Sequence, residues 1–214
     1  MASRTEQPRR RLSAEQRRSA ILDAALVVFS GRGYHASSID EIAHAAGISK
    51  ALIYEHFPSK RDLHVSLLER HVQEIVERLA ASADTPEPGE IRLRAGVDAF
   101  LAYVEERRDA FHLLFRDALE ADVAEVLTRL QLQATLAIAD LIAAEPVPRD
   151  PGESPAERKR NIEMLAQQLS GAVQSLAIWW EAHPDIPRER VVDSVMAFAW
   201  VGLGGLRSGE RAVP

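Results

Sequence analysis

SIDEIAHAAGISKALIYEHF, residues 38–57, reads as two short helices joined by a tight turn. Ser38 followed three residues later by Glu41 is a capping box, which satisfies backbone donors at a helix start. The first helix runs to about Ala46, and Gly47 supplies the turn. Ser49 caps the second helix, which ends near His56. Phe57-Pro58 breaks it, because proline cannot continue a helix and restricts the residue before it. Ile39, Ile42, Ala43, Ile48, Leu52 and Ile53 can pack the two helices together and against a third. Ser49, Lys50, Ala51, Tyr54, Glu55 and His56 remain outside, with groups able to donate to phosphates or reach base edges. This is the helix-turn-helix pattern. A plain three-helix packing unit would share its turn chemistry.

Upstream, Ser13 with Gln16 forms another capping box, and Ile21, Ala25, Val28 and Phe29 make the apolar stripe of a first helix. Gly31 and Gly33 are expected to stop it. Downstream, Ser59 caps a long fourth helix with Leu68, Val72, Ile75 and Leu79 in one stripe. Helical patterns resume at 89–107, 109–116 and 118–145, and a proline-rich loop is expected at 146–154. Ser154-Pro155-Ala156-Glu157 joins an N-cap, an N1 proline and a capping-box glutamate, a strong helix start. That helix runs to about Glu181, and a last one from near Pro187 to Ser208. No period-2 run or hairpin signal appears. The expected fold is all-α: a flexible basic arm at 1–12, a DNA-binding domain at 13–60, and a helical domain at 61–214.

The net charge of −6 is unevenly spread. Residues 1–72 hold eleven Lys/Arg against eight Asp/Glu, so the remainder carries the acidic excess. A basic amino-terminal piece on an acidic body fits a nucleic-acid reader with a separate second function, although an uneven solvated surface would look the same. The absence of cysteine excludes disulfides, thiolate zinc sites and cysteine nucleophiles. No apolar signal-peptide core opens the chain, and Val195–Leu206 is too short to cross a bilayer, so a cytoplasmic protein with no membrane partner is expected.

Residues 16–70 resemble the DNA-binding domain of the TetR family of transcriptional regulators. The likeness is carried by ILDAALVVFSGRGYHASSIDEIAHAAGISKALIYEHFPSKRDL, residues 21–63, and above all by Gly47–Lys60. It implies a homodimeric repressor that reads a palindromic double-stranded operator and is released by a small apolar effector. Ser38, at a helix N-terminus, is placed to meet a phosphate. Tyr54 presents a hydroxyl to the DNA backbone, and Lys60 stands where family members place a phosphate contact. Lys50, Ala51 and His56 correspond to positions facing the major groove, with Ser49 beside them. Ala51 can pack on a thymine methyl and Lys50 can donate to guanine. Arg17 and Arg18 are expected at phosphates or an adjacent minor groove. Glu55 departs from the family pattern: it can accept from cytosine N4, or turn aside to pair with Arg61 or Lys50.

The family's carboxy-terminal helices bind effector and dimerise. Phe100, Tyr103, Phe111, His112, Phe115 and Trp179 could line a mostly apolar cavity, with Arg116 as an anion partner; aromatics at helical spacing also serve as plain core. Trp179-Trp180, followed by Glu181 and Pro184, resembles regulators that respond to fatty-acid derivatives. The segment Val191–Leu206 is apolar nearly all round and needs burial on several sides, by a partner subunit or as the centre of a monomeric bundle. Gly171, Val195, Phe198, Ala199 and Trp200 are the expected dimer contacts. An enzyme or a non-DNA adaptor is the alternative. A di-metal carboxylate bundle needs two Glu-x-x-His motifs, and Glu41-x-x-His44 is a single copy inside the helix-turn-helix. His64 and His71 have no carboxylate to complete a site. Neither a metal nor a cofactor is expected.

Overall fold

The computed structural model describes residues 13–115, 121–143 and 152–207, without the side chains of 83, 121–127, 129, 130, 134, 141 and 200–207. All regular structure among the described residues is helical. The chain divides into two compact units, Met1–Leu68 and Glu69–Pro214.

The first unit holds α1 (Ala14–Arg32), α2 (Ile39–Ala46), α3 (Lys50–His56) and the first turns of α4 (Lys60–Ala83). Its starts and stops are those the caps prescribe. Ser13 and Gln16 close a capping box on α1, and Ser38 and Glu41 close one on α2. Gly33, at φ 77°, ends α1, whereas Gly31 lies within the helix. One glycine suffices there, because only the residue after the last turn needs the positive φ. The core is Ile21, Leu22, Ala25, Phe29, Ile39, Ile42, Ala43, Ile53, Phe57, Leu63, Leu67 and Leu68. The division expected at 60–61 falls at the first residue of α4, and the unit extends to Leu68. Side chains of this stretch of α4 belong to it: the His64 ring packs on Phe29 and Tyr34, and Ser66 accepts a hydrogen bond from Arg18.

The second unit contains the rest of α4 and α5 (Gly89–Glu106), α6 (Arg108–Phe115), α7 (Ala121–Ala143), α8 (Pro155–Glu181) and α9 (Arg188–Arg207). The expected helices at 89–107, 109–116 and 118–145 correspond to α5, α6 and α7, and the Ser154–Glu157 capping box opens α8. Helix α7 lies along α8, and α5 along α9. The α5–α9 seam carries ion pairs on its outer side: Arg188 reaches Asp98 at 2.9 Å and Glu105 at 2.7 Å, and Arg94 reaches Asp193. At Gly96 of α5 a Cβ would stand 3.4 Å from Ser82 Oγ and 3.8 Å from Leu79, close to ordinary contact, so the space beside α4 does not by itself demand a glycine. The core includes Val97, Leu101, Val104, Phe111, Leu114, Val173, Ala177, Trp180, Val192 and Met196. The arm at 1–12 and most of the loop expected at 146–154 lie outside the described residues.

Candidate nucleic-acid interface and effector region

The turn between α2 and α3 is a helix C-cap built on a left-handed glycine. Gly47 adopts φ 65°, ψ 32°, its N–H bonds back to Ala43 and His44, and Ile48 N–H reaches the Ala43 carbonyl at 3.0 Å. Ser49 Oγ then accepts from Leu52 N–H and starts α3. Ile53 and the following Phe57 point wholly inward, while Leu52 and His56 are half-buried. Ser49, Lys50, Ala51, Tyr54 and Glu55 are exposed, so the polar face expected of α3 is brought together on one side. Tyr54 is 46% exposed, a large aromatic left in solvent.

Several expected contacts are engaged inside the protein. Lys50 Nζ pairs with Asp40 Oδ2 at 2.8 Å, and this hydrogen bond raises the lysine pKa. Both side chains are about half exposed or more, so a competing acceptor can replace Asp40 at small cost. Ser38 spends its hydroxyl on the α2 cap, where it accepts from Glu41 N–H and donates to the Glu41 carboxylate. Hydrogen bonds from the Ser38 backbone and side chain hold the Glu41 pKa below its usual value, with Arg32 adding to the effect. Arg18 donates to the His56 carbonyl and to Ser66 Oγ, and its guanidinium lies 4.3 Å over the Phe57 ring. It fastens the end of α3 to α1. Arg17 is half-buried, and its Nε is enclosed with no hydrogen-bond partner among the described residues. Lys60 donates to the Ser37 carbonyl at 2.6 Å and the His35 carbonyl at 3.4 Å, and its ammonium sits 4.3 Å from the Tyr34 ring centroid.

Sequence reasoning missed the group beneath Lys60. His64 is buried between Phe29, with ring centroids 4.9 Å apart, and Tyr34, stacked at 4.6 Å. Burial first, and the Lys60 charge second, push its pKa down to about 4, so it is a neutral core imidazole. The signal was present as the spacing of His64 one turn after Lys60, but nothing in the sequence brings Tyr34 to that face.

In the second unit the expected effector residues separate into three groups. Phe100, Phe111 and Phe115 form one aromatic cluster between α5 and α6, with centroid separations of 4.8–6.4 Å. Beside it, His112 Nε2 meets Glu181 Oε1 at 3.0 Å, and that carboxylate side chain is only 6% exposed. Tyr103 turns the other way, toward α4, against His71 and the Arg78 guanidinium. Its hydroxyl is buried without a hydrogen bond among the described residues, and burial raises its pKa. Trp179 joins neither group. It is 47% exposed and stacks on His183 at 4.0 Å, because at this register Trp180 takes the inward position and donates to the Ile186 carbonyl. Arg116 lies outside the described residues. A charged groove between α5 and α9, lined by Ile91, Arg94, Asp98, Glu105, Arg188 and Val192, holds none of the expected effector residues.

The expected dimer residues also divide. Val195 and Ala199 turn into the core of their own unit, since they share a face of α9 with Val191 and Val192. Phe198 is 71% exposed and Gly171 is exposed, while the Trp200 side chain lies outside the description. Exposed Met164, Gly171, Ser175 and Trp179 recur at helical spacing along α8.

Two family models match the chain: bacterial regulatory proteins of the tetR family over residues 21–67, and a tetracyclin repressor-like C-terminal domain over residues 88–202. The HTH-type transcriptional activator FasR of Mycolicibacterium smegmatis is 36% identical over 195 residues, covering 90% of this chain and 85% of the relative. A TetR-like transcriptional regulator from Rhodococcus sp. RHA1 shares the fold at TM-score 0.72 and 30% identity, over 91% of this chain and all of the other. Bacillus subtilis FadR, solved in complex with stearoyl-CoA, matches at TM-score 0.67 and 17% identity, over 89% of this chain and 97% of the other.

Proposed function

The chain belongs to the TetR family of bacterial transcriptional regulators, and from that premise we propose that it binds a pseudo-palindromic operator as a homodimer and is released by a small acyl-type effector. It is a regulator and not an enzyme. The observation that carries DNA binding is the amphipathic construction of α3, whose inward residues Ile53 and Phe57 leave Ser49, Lys50, Ala51, Tyr54 and Glu55 facing outward. Lys50 and Ala51 are assigned to base edges, and Ser49 and Tyr54 to the backbone. Ser38, with its hydroxyl engaged in the cap, would meet a phosphate through the helix N-terminus. Glu55 and His56 are assigned to the rim of the contact, and Arg17 and Arg18 to its flank. Two such helices require half-sites about 34–36 Å apart. The direction of regulation then follows where the operator lies relative to the promoter, since FasR is named an activator.

The dimer is assigned to the exposed stripe of α8 with Phe198 of α9, which places Trp179 in that interface and outside the effector site. Met164, Trp179 and Phe198 are exposed large apolar side chains, of the kind that marks an interaction surface where they lie together, and Gly171 and Ser175 between them on α8 allow close helix contact. The effector is assigned to the Phe100–Phe111–Phe115 cluster, with the His112–Glu181 pair as its polar edge. The stearoyl-CoA complex of B. subtilis FadR supports an acyl ligand at the level of the fold.

A mobility-shift titration with the wild-type dimer and its own upstream DNA tests the reading, followed by release with palmitoyl-CoA and palmitate. The expected result is a specific shift and a 5–150-fold loss of operator affinity with ligand, corresponding to a coupling of about 1–3 kcal/mol. Linkage requires the operator to weaken the ligand by the same factor. A ligand that raises the melting temperature but leaves DNA affinity unchanged would refute the coupling.

A further inference from the structure

The loop that delivers the chain from α1 to α2 is fastened from two sides. At the end of α1, Ser37 Oγ donates to the Gly33 carbonyl at 2.6 Å, with the Val28 carbonyl as a second, longer acceptor at 3.3 Å. From α4, Lys60 donates to the carbonyls of His35 and Ser37 and lies over the Tyr34 ring. Tyr34 in turn stacks on His64, one turn further along α4, which packs on Phe29 of α1. The carbonyl of Ser37 is the last one before Ser38, the N-cap of α2. Fixing it fixes the direction in which α2 leaves the loop. The turn at Gly47 is itself held by a C-cap, so the direction of α2 sets that of α3.

We propose that Lys60 is a positioning residue for DNA binding, which locks the 33–37 loop through two carbonyls and the Tyr34 ring, and is not a phosphate ligand. The proposal rests on the reading of α2 and α3 as the DNA-binding pair. The short hydrogen bond from the charged Lys60 to the part-buried Ser37 carbonyl is of the stronger kind, and a phosphate would have to displace it, while the longer bond to the His35 carbonyl is exposed. Tyr34 supplies a face for the ammonium and a back for the loop. His64 supports that ring as a neutral partner and adds no charge of its own beneath the lysine.

Two readouts separate positioning from phosphate contact. A lysine that neutralises one phosphate contributes roughly one unit to the slope of log affinity against log salt, whereas a residue that only orients other groups contributes none. Amide hydrogen exchange over residues 33–41 reports the loop in the free protein. Lys60→Met removes the charge and keeps the aliphatic stem over the ring. Tyr34→Leu removes the ring and keeps the charge. The DNA probe is the duplex that the wild-type dimer selects from a random-sequence pool, and thermal melting confirms that each variant is folded. Both variants are expected to speed exchange at 33–41 and to weaken the duplex by about tenfold or more, with the salt slope unchanged. If Lys60→Met lowers the slope by about one unit while exchange stays at the wild-type rate, the lysine is a phosphate ligand and the proposal is overturned. Faster exchange with unchanged affinity overturns it as well. Should the wild-type protein select no duplex, the DNA-binding reading fails first. The exchange measurement then still decides whether Lys60 holds the loop, and wild-type rates in Lys60→Met would end the proposal on its own terms.

Discussion

His64 shows how one buried side chain can make a whole unit sensitive to acid. Its pKa falls from 6.5 to about 4 in the folded unit, because burial and the Lys60 charge both oppose the imidazolium. The unfolded chain therefore takes up its proton first as pH drops. Stability from this residue is complete above about pH 6.5 and is lost progressively as pH falls toward 4, for a total of about 3 kcal/mol. Urea melts of wild type and His64→Phe across pH 4–7 read this out. The wild type should lose stability steeply below pH 6.5 relative to the variant, which keeps the stack on Tyr34 without a titrating group. Parallel curves for the two proteins would mean that the imidazole is not held neutral. At this scale the sequence was a partial guide. The outward set on α3 follows from helical spacing around Ile53 and could be read directly. The internal partners of Lys50, Lys60 and Arg18 could not, because each belongs to a segment 10 to 48 residues away.

Helix ends were the most legible features of all, because a cap is a local arrangement of a few adjacent residues. Ser13/Gln16, Ser38/Glu41 and Ser154/Glu157 each begin a helix where their spacing says they should. Which face of a helix meets which neighbour is a tertiary matter, and there the reading was weaker: Trp179 and Trp180 are adjacent, and only packing decides which one turns inward. The turn at Gly47 offers a clean test at the level of elements. A Cβ at this position would meet nothing within 4 Å, so any cost of a substitution comes from the left-handed backbone alone. Gly47→Ala should therefore destabilise by about 1–2 kcal/mol, seen as a lowered denaturation midpoint with an unchanged m-value. Gly47→Asn should cost less, since asparagine tolerates this conformation. Equal losses for the two would point to a steric cause.

For the whole molecule the decisive question is association. Phe198 is 71% exposed in a single chain, so replacing it with glutamate disturbs no core of its own unit. If α8 and α9 build the dimer, Phe198→Glu puts an unpaired charge into a desolvated contact, a change that typically costs about 3–5 kcal/mol. Light scattering should then report a folded monomer, and operator binding should weaken sharply, because one half-site alone gives up the second recognition helix. A stable dimer of this variant would move the interface to another face. Val195→Glu is the contrasting change: that side chain is buried within its own protomer, and its loss should unfold the unit instead of merely separating two of them.

Helix α3 is held by few anchors, chiefly Ile53 and the adjoining Phe57; Lys50, Ala51, Tyr54 and Glu55 lie exposed, as does Ser49, which also caps the helix. Those five are the ones that would touch bases and phosphates. Across generations, then, the address this regulator reads can drift almost without penalty to the scaffold. Gene duplication followed by a handful of replacements among Lys50, Ala51, Tyr54 and Glu55, with the Ser49 cap kept, would yield a sister protein that answers to the same signal at a different promoter.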